Sequence, residues 1–539
     1  MSSYDAIVIG AGHNGLTNAA YLAKAGLRVV VLEKNDYIGG AAVSRELHKG
    51  WIYSSCSYVC SMMRQAIHRD LDLGRHGLVL VPYQGTVVFG DGDERLIAYH
   101  DEQANYNELK RHSPHDADAM FRFESDLTRF SQLIRKTLMR TPPEPTSFRP
   151  RDIREFLWLA KKFWALGEKE LYEYIRFFTI SAADFLEDYF ENDLVKSAMA
   201  SPGVIGTALG VYSPGSAYIL LHHVMGDVDG SIGAWGLARG GMGAISNSIA
   251  SALQEFGGEV RTNAGVEQVL VRNGKASGVV LENGDEIRAK VVVSNLDARR
   301  TFTRIMDKDD LPEGIYEKAK NFKIRGSSGK VNIALSGLPK FTHLPDNRYI
   351  DRGGQTFAGS LESMERAYDC WKRGRWSDDP FVEAFIPSPW DPTVAPPGKH
   401  WMSTFIQYCP PKLADGPWTP EKRDAFGQTV IDKIERYSPG FKDLIVHMEV
   451  RTPHEIENEI GLTEGNIFQG ELTVDQLFFN RPFPGYGQYR MPVKNLYMCG
   501  SSTHPGGGVS AACGANAARE ILMDLRRPNS VPEDDFYDE

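Results

Sequence analysis

Two glycine-rich loops, one near each end of the chain, carry the residue spacings most capable of chemistry. Gly10, Gly12 and Gly15 form a Gly-x-Gly-x-x-Gly loop. In such a loop the first glycine permits a tight turn and the second lets the backbone approach a pyrophosphate. The third lets the following helix pack close to a sheet, and the helix N-terminus, opening near Asn14, faces the anion. Glu33 follows Gly10 by 23 residues, where a carboxylate can accept hydrogen bonds from a ribose diol. The chain then continues through Lys34 to Gly39-Gly40-Ala41. That double glycine admits a second backbone segment to the pyrophosphate, with Arg45 downstream as a polar contact. This continuation favours FAD over NAD(P).

At the other end a short apolar strand runs into Gly500, and Gly506-Gly507-Gly508-Val509 precedes a helix. A reduced flavin carries negative charge at its pyrimidine edge, which a helix N-terminus stabilises. Gly507, Gly508 and Val509 are therefore expected to cradle the isoalloxazine. Hydride transfer to a flavin needs chiefly an oriented C–H bond in a dry pocket. His504, beside the loop, is the first candidate for acid–base work, with capping of the Thr503–Gly506 turn as the alternative. Trp235, in a glycine-flanked segment, is read either as a wall of the substrate cavity or as a core aromatic. His222-His223 lies in an apolar helix and is read as a core pair. Cys56 and Cys60 lack the four-residue gap of a disulfide reductase and are read as core thiols. No Cys-x-x-Cys pair or His-Glu-x-x-His occurs, so no metal is expected.

The elements that position these loops are legible as patterns. Asp5–Ile9, Asn14–Ala25 and Arg28–Leu32 read as strand, helix and parallel strand. Thr86–Tyr99 reads as a hairpin turning at Asp91-Gly92. Ser113 and Pro114 start a helix to about Met139. Proline excludes helix from Arg140–Pro150. Ile153, Phe156, Leu157, Ala160, Phe163 and Trp164 then recur at helical spacing, beside Arg149, Arg151, Arg154, Lys161 and Lys162. Packing on the protein's own domain is the expectation for that helix, and rest on a membrane the alternative. Glu259–Asn295 reads as a β-meander, later segments as longer strands, and Val509–Leu525 as a last helix.

The expected fold is α/β: a discontinuous, glutathione-reductase-like Rossmann domain for FAD, joined to an α+β substrate domain with a mostly antiparallel sheet and a helical insertion. The FAD domain would gather residues 1–90, 240–300 and 490–530. A helical substrate or lid region would span 101–239, the substrate domain 301–489, and a disordered tail 531–539. The net charge of −10 argues against nucleic acid as a partner. Six cysteines in 539 residues suit a reducing compartment. With no room for a signal peptide before the first strand and no apolar run of about 18 residues, a cytoplasmic protein is expected, with peripheral membrane contact open.

With both loops read, the sequence resembles the phytoene-desaturase-like flavoproteins of the amine oxidase superfamily. The resemblance rests on GAGHNGL (Gly10–Leu16), Glu33 with Gly39-Gly40, and THPGGGV (Thr503–Val509). Within that group it is most similar to the branch named for a pyridine nucleotide-disulfide oxidoreductase domain, through Tyr212–Gly226, Gly233–Ile245, Pro387–His400 and Gly461–Leu472. The resemblance implies non-covalent FAD, a single dinucleotide domain, a largely apolar channel and backbone contact of Val266 with the adenine. It further implies dehydrogenation (desaturation) of an apolar, polyene-like or cyclic substrate by hydride transfer to flavin N5, with oxygen or a quinone as acceptor. Flavin-dependent isomerisation or saturation, and a flavin-stabilised interaction protein without turnover, are the alternatives. Two positions depart from the pattern: Gln469, where relatives often have His, and the SAACG run after Val509, where Gly or Pro is more usual.

Overall fold

The computed structural model describes residues 3–82, 85–99, 101–228, 230–342, 344 and 353–533. In strand Ser3–Ile9 the run Ala6, Ile7, Val8 and Ile9 is apolar and buried on both faces, as a central parallel strand must be. It pairs in parallel with Val29–Leu32 on one side and Glu286–Ser294 on the other. Glu259–Arg261 and Leu496–Met498 extend the parallel layer at its two sides. Strands Val266–Arg272 and Lys275–Leu281 peel away as an antiparallel meander pairing with the start of Glu286–Ser294. Asn273 and Gly274, both at positive φ, turn the first of these hairpins, as a two-residue type I′ turn requires.

Helices His13–Lys24, Gly243–Glu255 and Ala512–Asp524 supply one apolar layer against this sheet. The first and last cross closely at Gly514, where a Cβ would stand 2.1 Å from the Asn14 carbonyl oxygen. Asn18 Nδ2 donates to the Gly514 carbonyl at 3.1 Å. The last helix starts at Ala512 rather than at Val509, because Ala511 takes a left-handed φ of 64° that no helix continues.

A second sheet has seven strands, in the order Ile445–Arg451, Ser328–Leu335, His400–Gln407, Phe381–Phe385, Gly354–Phe357, Thr86–Phe89 and Arg95–Ala98. Its pairs are antiparallel except Gly354–Phe357 with Thr86–Phe89. The hairpin at 86–98 thus joins the substrate-side sheet, and residues 86–90 do not continue the dinucleotide layer. Strand Val87–Phe89 buries its side chains among the apolar residues of that sheet, which decides the placement.

The helical insertion shares an apolar cluster with the second sheet, through Val88, Leu96, Phe381, Phe385 and Phe405. Helix Pro114–Leu138 is capped by Ser113, whose Oγ accepts the Asp116 N–H at 3.1 Å. Pro150 opens the next helix, Pro150–Trp164, since its missing N–H costs nothing in a first turn; the non-helical linker ends at Arg149. Near the C-terminus Val531 is buried and the Pro532 carbonyl accepts Arg519 Nη2 at 2.7 Å, so these two residues of the expected tail are packed rather than disordered. The rest of the expected tail, 534–539, lies outside the described residues. No helix among the described residues is long and apolar enough to cross a membrane.

Candidate functional site

The first glycine loop is nested against two other segments. Gly10, at φ +95°, donates its N–H to the Leu32 carbonyl at 2.8 Å. A Cβ on Gly15 would stand 2.3 Å from the Gly10 carbonyl oxygen, so its role is close helix packing. Gly39 donates to the Ala11 carbonyl at 2.9 Å, and a Cβ on Gly40 would stand 3.2 Å from Gly12 Cα. Glu33 is buried at the end of its strand. Its Oε2 accepts the Ala11 N–H at 2.9 Å and its Oε1 the Asn35 N–H at 3.0 Å. Burial raises its pKa, and the two backbone donors oppose that shift. Each oxygen keeps a lone pair for a further donor, the requirement for holding a ribose diol.

A cavity of about 660 Å³ passes this loop and continues into the second half of the molecule. Of the expected cofactor residues, Gly10, Gly12, Asn14, Glu33, Lys34, Gly40, Ala41, Val266, Gly508 and Val509 line it. Gly15, Gly39, Gly500 and Gly507 do not; they allow backbones to pack behind it. On Gly500 a Cβ would meet the Asn295 carbonyl oxygen at 2.6 Å, and on Gly507 the Phe468 Cα at 2.4 Å. Arg45 is also off the cavity. Its guanidinium pairs with Glu459 at 2.6 Å and lies over the Tyr37 ring at 4.1 Å.

Gly508 marks the far cofactor end. At φ +119° it would present a Cβ to Met62 Cγ at 3.4 Å and His222 Nε2 at 3.6 Å, so its lack of a side chain keeps that part of the cavity open. Asn14 Nδ2 donates to Ser501 Oγ at 3.2 Å, while its buried Oδ1 has no protein partner. His13 Nε2 is likewise buried without a partner, and burial lowers the His13 pKa to about 4. Both orphaned atoms belong to cavity-lining residues, as expected where a polar ligand completes the site.

The second glycine loop is held from behind by a buried cation that sequence reasoning did not single out. Arg481 donates to the carbonyls of Phe468, Gly470, Glu471, Gln476 and Ser501. Burial lowers its pKa to about 10, leaving it a cation at neutral pH. The Gln469 Oε1 beside it accepts the Ser501 N–H at 2.9 Å. Arg300 and Arg304, also missed, line the cavity near Lys34 and Glu282. Burial lowers the Arg300 and Lys34 pKa values, and the two cations repel each other.

His504 does not reach the cavity. It is fully enclosed, donates from Nε2 to the Thr137 carbonyl at 2.8 Å, and meets the Phe478 ring edge-on at 5.2 Å. Burial lowers its pKa to about 4. The structure therefore makes it a tie between the loop and the helical insertion, in place of the acid–base role. Trp235 does line the cavity, its Nε1 donating to the His223 carbonyl at 3.2 Å. His222 and His223 are buried as expected, yet both line the cavity beside Phe468. Burial lowers their pKa values to about 3 and about 4, so both are neutral. The six cysteines are free, and burial raises the Cys56 and Cys60 thiols to about 11 and 12.

Beyond Gly508 the cavity wall is mostly apolar: Val59, Met62, Ile205, Trp235, Phe405, Ile467 and Phe468. Among the polar residues in this lining, Tyr58 and Lys330 form one linked group. Tyr58 stacks on Phe405 at 5.2 Å and donates from its hydroxyl to Glu383 at 2.7 Å. Lys330 Nζ sits 5.3 Å from the Tyr58 ring centre and donates to Ser403 Oγ at 2.8 Å. Burial brings the Lys330 pKa down to about 7 and the Glu383 pKa up to about 7. Lys330 therefore titrates at the cavity wall near physiological pH, with Glu383 behind Tyr58 titrating in the same range.

Comparison with known proteins agrees with this geometry. The family model of flavin-containing amine oxidoreductases matches residues 15–374. The chain is similar to pyridine nucleotide-disulfide oxidoreductase domain-containing protein 2 of Mus musculus, at 37% identity over 97% of this chain and 94% of that protein. It is similar at 28% identity to a neurosporene-forming phytoene desaturase of Rhodobacter capsulatus, over 97% of this chain and 95% of that one. Among solved structures, putrescine oxidase bound to putrescine shares the fold, with a TM-score of 0.61, 17% identity, and coverage of 97% of this chain and 99% of that one. FAD is the cofactor of such proteins, and the Glu33 carboxylate, the nested glycines and the orphaned donors and acceptors fit it here.

Proposed function

The chain belongs to the flavin-containing amine oxidoreductase family, and from that premise we propose that this FAD-dependent enzyme dehydrogenates a largely apolar substrate. Polyene-like and cyclic hydrocarbon skeletons are the classes that suit the chamber. The observation that carries the reading is the single cavity joining the Glu33 end to an apolar chamber past Gly508 and Val509. FAD, when bound, supplies the acceptor for a hydride. Glu33, the Gly10–Gly15 loop and Gly40 hold its dinucleotide portion, with Val266 at the adenine. Gly508 and Val509 leave room for the ring system. Trp235, Phe405 and Phe468 exclude water and orient a C–H bond, which is what such a transfer chiefly asks of a protein. Lys330 and the Tyr58 hydroxyl, which is bonded to Glu383, offer the substrate a polar contact and a place for a proton to rest.

Anaerobic mixing with candidate substrates tests this reading. A dehydrogenase substrate bleaches the flavin without added reductant and yields a product two hydrogens lighter. Oxygen or a quinone then restores the colour. A product of unchanged mass, formed only after prior reduction of the flavin, would replace dehydrogenation with isomerisation. Failure of every apolar candidate to reduce the flavin would overturn the proposal.

A further inference from the structure

Helix Pro150–Trp164 is built inside out. Its acidic residues face the protein: Asp152 accepts from Gln488 Nε2 at 2.7 Å, and Glu155 pairs with Arg140 at 2.8 Å. One stripe of its apolar residues faces away, while Phe163 packs inward on Tyr174. Ile153 and Leu157 (65% exposed) lead to Trp164 (89%) along one helical stripe. Gly167, at φ +76°, turns the chain into helix Gly167–Thr179, which packs on the first. That helix buries Tyr174 and Phe177 against Phe130 but exposes Leu171, Tyr172 (67%) and Ile175 (56%). Phe148, just before the first helix, is 91% exposed. The expectation that the periodic apolar residues pack on their own domain therefore holds for Phe163, which meets Tyr174, and fails for Ile153, Leu157 and Trp164.

We propose that these two helices form a docking surface for an anionic lipid bilayer. Monomeric soluble proteins seldom expose a contiguous apolar patch of more than a few hundred Å² without a partner for it. The composition selects the partner. Trp and Tyr beside Leu and Ile, bordered by Lys and Arg, is the pattern that lies in a membrane interface. Residues 148–179 carry seven Arg and Lys against five Asp and Glu, in a chain of net charge −10. Of those acids, Asp152 and Glu155 point inward and Glu170 and Glu173 lie on Arg129, while Arg154 and Lys169 extend outward. A second copy of the chain fits less well. The surface carries more basic than acidic residues, so two copies meeting through it would bring like charges together, whereas an anionic bilayer complements them. The surface also stands one helix from the site. Helix Gly167–Thr179 packs on Ser216–Val224, with Phe178 stacked on Tyr218 at 5.2 Å, and that helix carries His222 and His223 into the cavity wall. If the substrate is apolar, as proposed above, docking would bring the chamber next to the phase that dissolves it.

The flavin-loaded, full-length protein should co-float with vesicles of phosphatidylcholine and phosphatidylglycerol, and far less with phosphatidylcholine alone. Binding should weaken with added salt. The Trp164 emission should shift to the blue on binding. Leu157→Asp with Trp164→Ser should reduce the partition coefficient by about tenfold or more, as removal of two buried side chains implies. Lys161→Glu with Lys162→Glu should abolish the preference for anionic lipid. All four positions are remote from the cavity lining, so unchanged flavin absorbance reports an intact fold in each variant. Absence of binding to anionic vesicles would overturn the proposal. So would binding that both pairs of substitutions leave unchanged, or a concentration-dependent dimer that the Leu157→Asp/Trp164→Ser pair dissolves. None of these outcomes depends on which molecule the flavin oxidises.

Discussion

Glu33→Gln separates cofactor recognition from loop architecture. In the native protein each carboxylate oxygen accepts one backbone N–H, from Ala11 and from Asn35. A glutamine must turn its own NH₂ toward one of those donors, leaving a buried N–H unpaired at a cost of about 1–3 kcal/mol. That cost falls on the protein with and without cofactor. Toward the ribose, one charge-assisted hydrogen bond of about 1.5–3 kcal/mol disappears and the other becomes an ordinary one. The expected loss in FAD binding is therefore about 2–4 kcal/mol, or about 30- to 1000-fold in Kd. Flavin fluorescence quenching, titrated into apoprotein, measures it directly. FMN lacks the adenosine ribose, so its weaker affinity should be the same in Glu33→Gln and in the native protein. Because burial raises the Glu33 pKa, native FAD affinity should start to fall at a higher pH than an exposed glutamate would dictate. Unchanged FAD affinity would refute the ribose assignment and leave Glu33 as a brace for Ala11 and Asn35. Equal weakening of FAD and FMN would refute it too, by pointing to a collapsed loop.

Four further perturbations follow from the buried groups. Arg481→Met strands five carbonyls that now share one guanidinium, and should cost more than about 4 kcal/mol; thermal melts and flavin retention should fall together. His504→Ala removes the bond to Thr137 and should lower stability by about 1–3 kcal/mol. The rate of flavin reduction in the folded fraction should stay within about twofold, and a large loss measured by stopped flow would restore a catalytic role. Lys330 and Glu383 should leave opposite marks on stability against pH. The Lys330 pKa falls to about 7 in the folded state, so the unfolded chain binds the extra proton between about 7 and 10.4 and native stability rises with pH across that window. Lys330→Met should therefore gain most over the native protein at pH 6 and lose that advantage toward pH 10 in denaturant titrations. The Glu383 pKa rises to about 7, so the folded state holds the extra proton between about 4.3 and 7, and stability falls as pH rises through it. Glu383→Gln should remove that decline.

What the sequence made legible was local backbone law. A turn that needs Gly10, a carboxylate closing the next strand, and a Ser-Pro helix start each depend on neighbours a few residues away, and the structure places them accordingly. What stayed illegible depends on which side of an element faces what. Helical spacing identified the apolar stripe of Ile153, Leu157 and Trp164 but carries no sign for inward or outward. The two acids Asp152 and Glu155, each with a partner distant in sequence, settle it. His222 and His223 illustrate the same limit, since an apolar helix suits a core and an apolar cavity equally. His504 was misplaced for a related reason: adjacency to the glycine loop in sequence does not say which face of the loop a side chain leaves from.

The two departures from the resembled pattern separate on the same ground. Ala511 adopts φ 64°, a conformation that costs an alanine roughly 1–2 kcal/mol relative to glycine. Its side chain is buried among the helices behind the sheet, away from the cavity, so this departure concerns stability. Gln469 lines the cavity and holds the Ser501 N–H through its Oε1. A neutral amide there cannot titrate, whereas a histidine could donate or accept a proton near neutral pH. Of the two groups with pKa values near 7, Lys330 lines the cavity, while Glu383 lies behind Tyr58 and reaches it only through the Tyr58 hydroxyl.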